Sequence, residues 1–283
     1  MIAITGASGQ LGRQVIQKLL TTHPAHEIVA IVRRPDSVAD LAAAGVQVRV
    51  ADYNDQPALS RALAGVKKVL LISSSEIGQR VAQHQNVIEA ARSSGVSQIV
   101  YTSLLHADSS PLGLADEHRQ TEKLLAGSGL EVVLLRNGWY TENYLASVPA
   151  AIEHGILAGC AGDGLISPAP RADYAAAAAE VLRRDGQAGK VWELAGDNGW
   201  TLTQLAQEIT RLSGKAVRYQ DMSLEGFESA LVSAGLPQPI AAMLADSDRG
   251  ASQGGLFDDS HQLSQLLGRP TEPLAVSLRQ HLA

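Results

Sequence analysis

The segment Thr5-Gly6-Ala7-Ser8-Gly9-Gln10-Leu11-Gly12 constrains this chain more than any other. It directly follows a short apolar run, residues 2–5. It also opens a helical pattern in which Leu11, Val15, Ile16, Leu19 and Leu20 share one stripe. Three glycines spaced by three at such a junction each meet a different demand. Gly6 permits the sharp strand-to-helix turn, Gly9 lets a diphosphate approach the backbone, and Gly12 lets the helix pack closely. The first N–H groups of the helix have no intrahelical partners, and with the positive end of the helix dipole they face the same point. The segment therefore predicts a dinucleotide-binding βαβ unit.

The pattern continues for about half the chain. Apolar β-branched runs at 28–32, 46–51, 69–73, 99–102 and 132–136 alternate with helical spacings, such as Val81, Val87, Ile88, Ala90 and Ala91 within 79–94. Strands alternating with helices build parallel sheets, and near-continuous apolar strands suit a sheet covered on both faces. The expected fold is α/β: a Rossmann-type doubly wound parallel sheet over residues 1–137. A smaller, substrate-covering α/β subdomain is expected over 138–283. Strands near 156–159 and 191–194 are candidates to join the main sheet. Residues 159–164 and 250–255 read as loops, the first as a surface turn or a partial lid, and Thr201-Leu202-Thr203-Gln204 carries a capping-box pattern.

The second strand ends in Arg33-Arg34-Pro35, with no carboxylate where an acid would accept from a ribose 2′-hydroxyl. An arginine there accommodates a 2′-phosphate, so NADPH is the expected cofactor. Asp52, after the third strand, either reaches an adenine amino group or caps a helix. Ser73, Ser74 and Ser75 end the fourth strand, where small hydroxyl side chains let a ribose pass or simply make a turn. The net charge of −6, with no basic block, argues against nucleic acid. No apolar run is long enough for a membrane span. A single cysteine, Cys160, and an N-terminus that opens on a strand point to the cytoplasm. No spacing of His, Asp or Glu suggests a metal.

Several longer motifs resemble the NmrA-like, atypical short-chain dehydrogenase/reductases, and within them the bacterial type 2 NAD(P)H:quinone oxidoreductases. They are MIAITGASGQLG, the run through Arg33, LLISSSEIGQR (70–80), YTSLLHADSSPLGLADEH (101–118), LLRNGWYTENYLAS (134–147), RADYAAAAAEV (171–181) and MLADSDRGASQGGLFDDS (243–260). Ser8 stands where many relatives carry Thr. The resemblance implies NADPH-dependent reduction of a small quinone without flavin. It also implies a cofactor lined by Gly6, Ala7, Ser8, Gly9, Gln10, Leu11, Arg33, Ser73, Ser74, Ser75 and the stretch Asn137, Gly138, Trp139, Tyr140, Thr141, Glu142.

The Tyr-x-x-x-Lys pair of ordinary short-chain dehydrogenases falls on His118 and Glu122, so that acid catalyst is missing. Quinone reduction needs less help, because the product oxyanion is resonance-stabilised and positioning supplies most of the catalysis. His118 titrates near neutrality and is a candidate proton donor, or else a polar residue on an exposed helix face. Tyr140, Asn143 and Arg171 are candidate substrate contacts: an aromatic face to stack on a quinone, an amide, and a cation to polarise its oxygen. Trp139 and Tyr144 are either stacking partners or core packing. The alternative function is an NADP(H)-binding redox sensor without turnover. A monomer and a homodimer are both compatible with the sequence.

Overall fold

A computed structural model describes residues 1–283. Seven strands form the main sheet: β1 Ile2–Ile4, β2 Ile28–Val32, β3 Gln47–Val50, β4 Lys68–Leu71, β5 Gln98–Leu104, β6 Glu131–Asn137 and, skipping β7 (Ile156–Gly159), β8 Val191–Leu194. Their order is β3-β2-β1-β4-β5-β6-β8. The register advances in parallel throughout, with Ile2 opposite both Ile28 and Lys68, and Gln98 opposite Glu131. The strand β8 follows β6 in the same sense: Gly189 donates to Val132, Leu134 to Lys190 and Gly138 to Leu194. The Rossmann-type parallel sheet is thus present, with strand order reversing between β1 and β4. That reversal is where such sheets bind ligands, beyond the carboxyl ends of the strands.

The apolar runs form these strands because both faces are covered. All residues of β1, β2 and β5 are buried. A cluster including Ile31, Leu59, Leu71, Val87, Ile99 and Tyr101 fills one side of the sheet. The helix Arg80–Ser93 departs from its expected stripe: Val81 is only half-buried, while Arg80, Gln83 and His84 are buried. Its first turns face a polar loop rather than the core.

The chain divides into two compact units. The first contains Met1–Leu104, Asp116–Asn137 and Arg171–Trp192; the second contains Leu105–Ala115, Gly138–Pro170 and Glu193–Ala283. The division expected at residue 137 therefore differs in detail, because the alanine-rich helix Arg171–Arg183 packs on the helix Gln10–Leu19 in the first unit. Of the two later strands, β8 joins the main sheet, whereas β7 pairs in parallel with β9 (Arg218–Asp221) in a separate two-stranded sheet of the second unit. The capping box forms as expected: Thr201 and Gln204 each accept the other's backbone N–H at the start of the helix Leu202–Ser213.

Both expected loops are more ordered than the sequence suggests. Residues 250–252 belong to the helix Gln238–Ser252 and only 253–255 form a turn; Gly250 packs so tightly that a Cβ there would fall 2.7 Å from Leu112. The turn after β7 is pinned rather than lid-like. Cys160, Ala161 and Gly162 donate their N–H groups to Asp248, Tyr219 and Asp221, and a Cβ on Gly164 would lie 2.4 Å from the Ala251 carbonyl oxygen.

Candidate active site

The first unit holds a cavity of about 240 Å³ at the strand-order reversal, lined by Gly6, Ser8, Gly9, Arg33, Ser73, Ser74 and Ser75 together with Asp52, Tyr53 and Glu76. Gly6 has φ +58°, a left-handed conformation that glycine adopts freely. A Cβ on Gly12 would sit 2.5 Å from the Gly6 carbonyl oxygen and 2.9 Å from Ala7 Cα, so the third glycine keeps the turn closed. The helix Gln10–Leu19 begins with no side-chain cap and no acidic residue in its first turn. Its N-terminal N–H groups are left for an anion, which is what a dinucleotide's diphosphate requires. Ala7, Gln10 and Leu11 are not among the lining side chains: Ala7 is fully buried and its N–H bonds to Ile31, Gln10 is exposed and Leu11 packs inward.

Arg33 stands at the rim with its side chain 69% exposed, 3.3 Å from Glu76. So exposed a pair is weak, and the guanidinium is available to a phosphate. The loop after β4 is held rigidly from below. The Ser74 carbonyl accepts from Arg80 Nε at 2.7 Å, and its N–H donates to His84 Nε2 at 2.9 Å. Because Nε2 accepts, the ring proton of neutral His84 lies on Nδ1, which donates to Thr121 Oγ1 at 3.0 Å; that hydroxyl in turn donates to the Glu117 carbonyl. Burial, with Arg80 nearby, pushes the His84 pKa down to about 3 and keeps the ring neutral. The Glu117 carboxylate takes Arg80 at 3.0 Å and the Gly78 N–H at 2.9 Å. Tyr53 was not expected here. Its hydroxyl donates to Ile72 and meets Thr5 at the foot of the same cavity; a polar aromatic in the loop just beyond the third strand was the available signal.

His118 does not fit the role of proton donor, and it is not exposed either. It lies at 6% exposure on the inward stripe Ala115, His118, Thr121 and Leu125 of the helix Ala115–Ala126, with Nδ1 2.7 Å from the Tyr101 hydroxyl. Burial, Arg80 and His84 lower its pKa to about 3, which keeps the ring neutral at pH 7. Glu122, in the former lysine position, accepts from Ser103 at 2.6 Å and bidentately from Arg136 at 3.0 and 2.8 Å.

The stretch from Asn137 disperses. Asn137 ends β6 at 6% exposure, and its side-chain oxygen is buried without a hydrogen-bond partner. Gly138 donates to Leu194 at 2.7 Å, and Trp139, Tyr140 and Thr141 bridge to Ala169. Glu142 lies in the short helix Thr141–Leu145, while Arg171 starts the helix Arg171–Arg183 and lines neither cavity.

The second unit contains a larger, mainly apolar cavity of about 540 Å³, with Trp139, Asn143, Tyr144, His154, Phe227 and Asp248 on its wall. Tyr144 packs edge-on against Trp200 at 5.1 Å, and its buried hydroxyl lacks a partner. Of the three expected substrate contacts, only Asn143 lines this cavity. Asp248, which also lines this cavity, lies within one of the long sequence motifs. Burial, chiefly, raises its pKa to about 6, with the Asp221 charge adding to the shift. The same surroundings push the Cys160 thiol up to about 12, so it stays protonated.

A family model for NAD(P)H-binding proteins matches residues 6–185. The chain is 64% identical to quinone oxidoreductase 2 of Escherichia coli over 278 residues, covering 98% of this chain and 97% of that protein. It superposes on the crystal structure of the NADPH-dependent quinone oxidoreductase of E. coli complexed with NADPH with a TM-score of 0.99, at 63% identity and full coverage of both chains. The triphenylmethane reductase of Citrobacter sp., complexed with NADP(H), gives a TM-score of 0.96 at 38% identity, covering 99% of this chain and 100% of that one. The uncapped helix start, the glycine cradle and these full-length similarities agree: the chain belongs to the NAD(P)H-binding family, on the branch that includes E. coli quinone oxidoreductase 2.

Proposed function

We propose that this protein is an NADPH-dependent quinone oxidoreductase that works by direct hydride transfer, with flavin taking no part. The observation that carries this reading is the cradle at β1, fitted to a diphosphate and continuous with a rim arginine, in a chain 64% identical to a quinone oxidoreductase. NADPH, when bound, supplies the hydride.

The residues of the chain bind and orient. Gly6, Ser8 and Gly9, with the helix N-terminus behind them, hold the diphosphate. Arg33 would take the 2′-phosphate, and Asp52 and Ser73–Ser75, which line the same cavity, would border the adenosine and ribose. Asn137, whose buried side-chain oxygen has no partner within the chain, would help hold the nicotinamide end of the cofactor. Trp139, Asn143 and Tyr144 receive the quinone. No buried imidazole has to give up a proton: the reduced quinone's oxyanion is stabilised by its own ring and is protonated from water. Arg80, His84 and Glu117 act at one remove, by fixing the backbone of Ser74. We place the reaction in the cytoplasm, by a monomer or a homodimer.

The test is the quinone-dependent loss of NADPH absorbance with benzoquinone. Rapid oxidation is expected. Tight NADPH binding with no quinone-dependent turnover would instead fit an NADP(H) sensor.

A further inference from the structure

The cavity in the second unit is much larger than a single quinone ring needs. Its walls come from the helix Val148–His154, from β7, and from the paired helices Leu224–Ser233 and Gln238–Ser252. Small residues keep it open: Ala150, Ala151, Ala158, Ala230 and Ala234 all face it. The helix Leu224–Ser233 is informative. Of its residues only Phe227 is buried, yet Phe227, Ala230, Leu231 and Ala234 recur at helical spacing and line the cavity. An apolar stripe normally faces a core; this one faces a space of about 540 Å³, the size range of pockets that take ligands with substantial apolar bodies.

The polar groups on the wall restrict the occupant further. Ser147 and Ser247 spend their hydroxyls on nearby backbone, donating to the Tyr144 and Met243 carbonyls. Asp248 is 8% exposed and accepts the Cys160 N–H at 3.0 Å. Asp221, which accepts from Tyr219, lies close enough to act on it electrostatically. The neighbouring Arg249 turns instead to Asp246. His154 is the only basic side chain lining the cavity. An anionic group entering here would meet a carboxylate that has no cation paired with it.

We propose that this cavity binds the apolar substituent of a neutral, alkyl- or prenyl-substituted quinone, and so sets the enzyme's acceptor class. This rests on the quinone reading above. Each methylene buried against such a wall strengthens binding about fourfold, so activity should climb along an alkyl series until the cavity is filled.

The experiment compares kcat/KM for benzoquinone and decylbenzoquinone in the wild type, in Ala230→Phe, which puts a ring into the cavity, and in Val232→Phe, on the exposed face of the same helix. In the wild type the long-chain quinone should be preferred by roughly tenfold or more, and Ala230→Phe should reduce that ratio by about tenfold while Val232→Phe leaves it in place. Calorimetric titration with decylbenzoquinone, without NADPH, gives a second readout. Binding is expected in the wild type, weakened in Ala230→Phe, and Ala150→Phe provides an independent wall should the first variant fail to fold. An equal preference for both quinones, or a ratio untouched by both wall variants, overturns the proposal. If no quinone oxidises NADPH at all, the functional reading falls, and the calorimetric arm alone decides whether the cavity takes apolar tails.

Discussion

Two single residues govern the cofactor site by opposite physics. Gly12 acts through what it lacks. A methyl group there would overlap the Gly6 carbonyl oxygen at 2.5 Å, so Gly12→Ala should force the turn open. Overpacking of this kind costs about 1–3 kcal/mol. A lowered melting temperature and weakened NADPH binding, measured by calorimetry, should appear together. Arg33 acts through charge: it is exposed, weakly paired and contributes little to stability. Arg33→Ala should leave the melting temperature where it is and raise the NADPH dissociation constant by about tenfold or more, the worth of one charge-assisted contact. NADH affinity should barely change. Equal losses for both nucleotides would remove Arg33 from the 2′-phosphate.

At the scale of elements, the loop after β4 is held by side chains from two helices. Arg80 and His84 come from Arg80–Ser93, and Glu117 and Thr121 from Ala115–Ala126. The pair Arg80–Glu117 is nearly closed to solvent, with side-chain exposures of 7% and 15%. Removing one partner of such a pair leaves an uncompensated charge and costs about 3–5 kcal/mol. Arg80→Ala should therefore destabilise the protein by that order in a denaturant melt. It should also weaken NADPH binding beyond what the stability loss explains, because Ser74 loses its carbonyl anchor. A variant that melts early but binds NADPH normally would confine Arg80 to stability.

For the whole molecule, the buried histidines set the acid limit. His84 and His118 are held neutral, with pKa values lowered from 6.5 to about 3. The unfolded chain protonates them near pH 6.5 and the folded chain does not, so the stability they contribute is present above pH 6.5 and is lost as the pH falls. The slope is about 1.4 kcal/mol per pH unit for each histidine. Asp248 works in the reverse sense: its raised pKa of about 6 makes its ionisation unfavourable to the fold above that pH. Melting temperatures should thus fall steeply between pH 6 and pH 4, and His118→Gln should flatten that slope. Asp248→Asn should raise the melting temperature more at pH 8 than at pH 5, since only the higher pH finds the carboxyl charged in the wild type.

Local chemistry made much of this legible in the sequence. The glycine spacing at residues 6–12 and the β-branched alternation determined the parallel sheet and the cradle, because backbone conformation and burial period are decided within a few residues. The uncharged strand end before Arg33 likewise pointed to the phosphorylated nucleotide. Tertiary structure decided the rest. His118 looked hydrophilic among its neighbours, and only packing against Tyr101 made it a buried neutral group. Pairing sent β8 to the main sheet and β7 to β9, although both runs read alike. Asp248 and the alanines of the second cavity come from separated helices, and no spacing along the chain encodes the space they enclose. Local preferences propagate over a turn or a strand, whereas burial, pKa and cavity volume depend on residues that folding alone brings together.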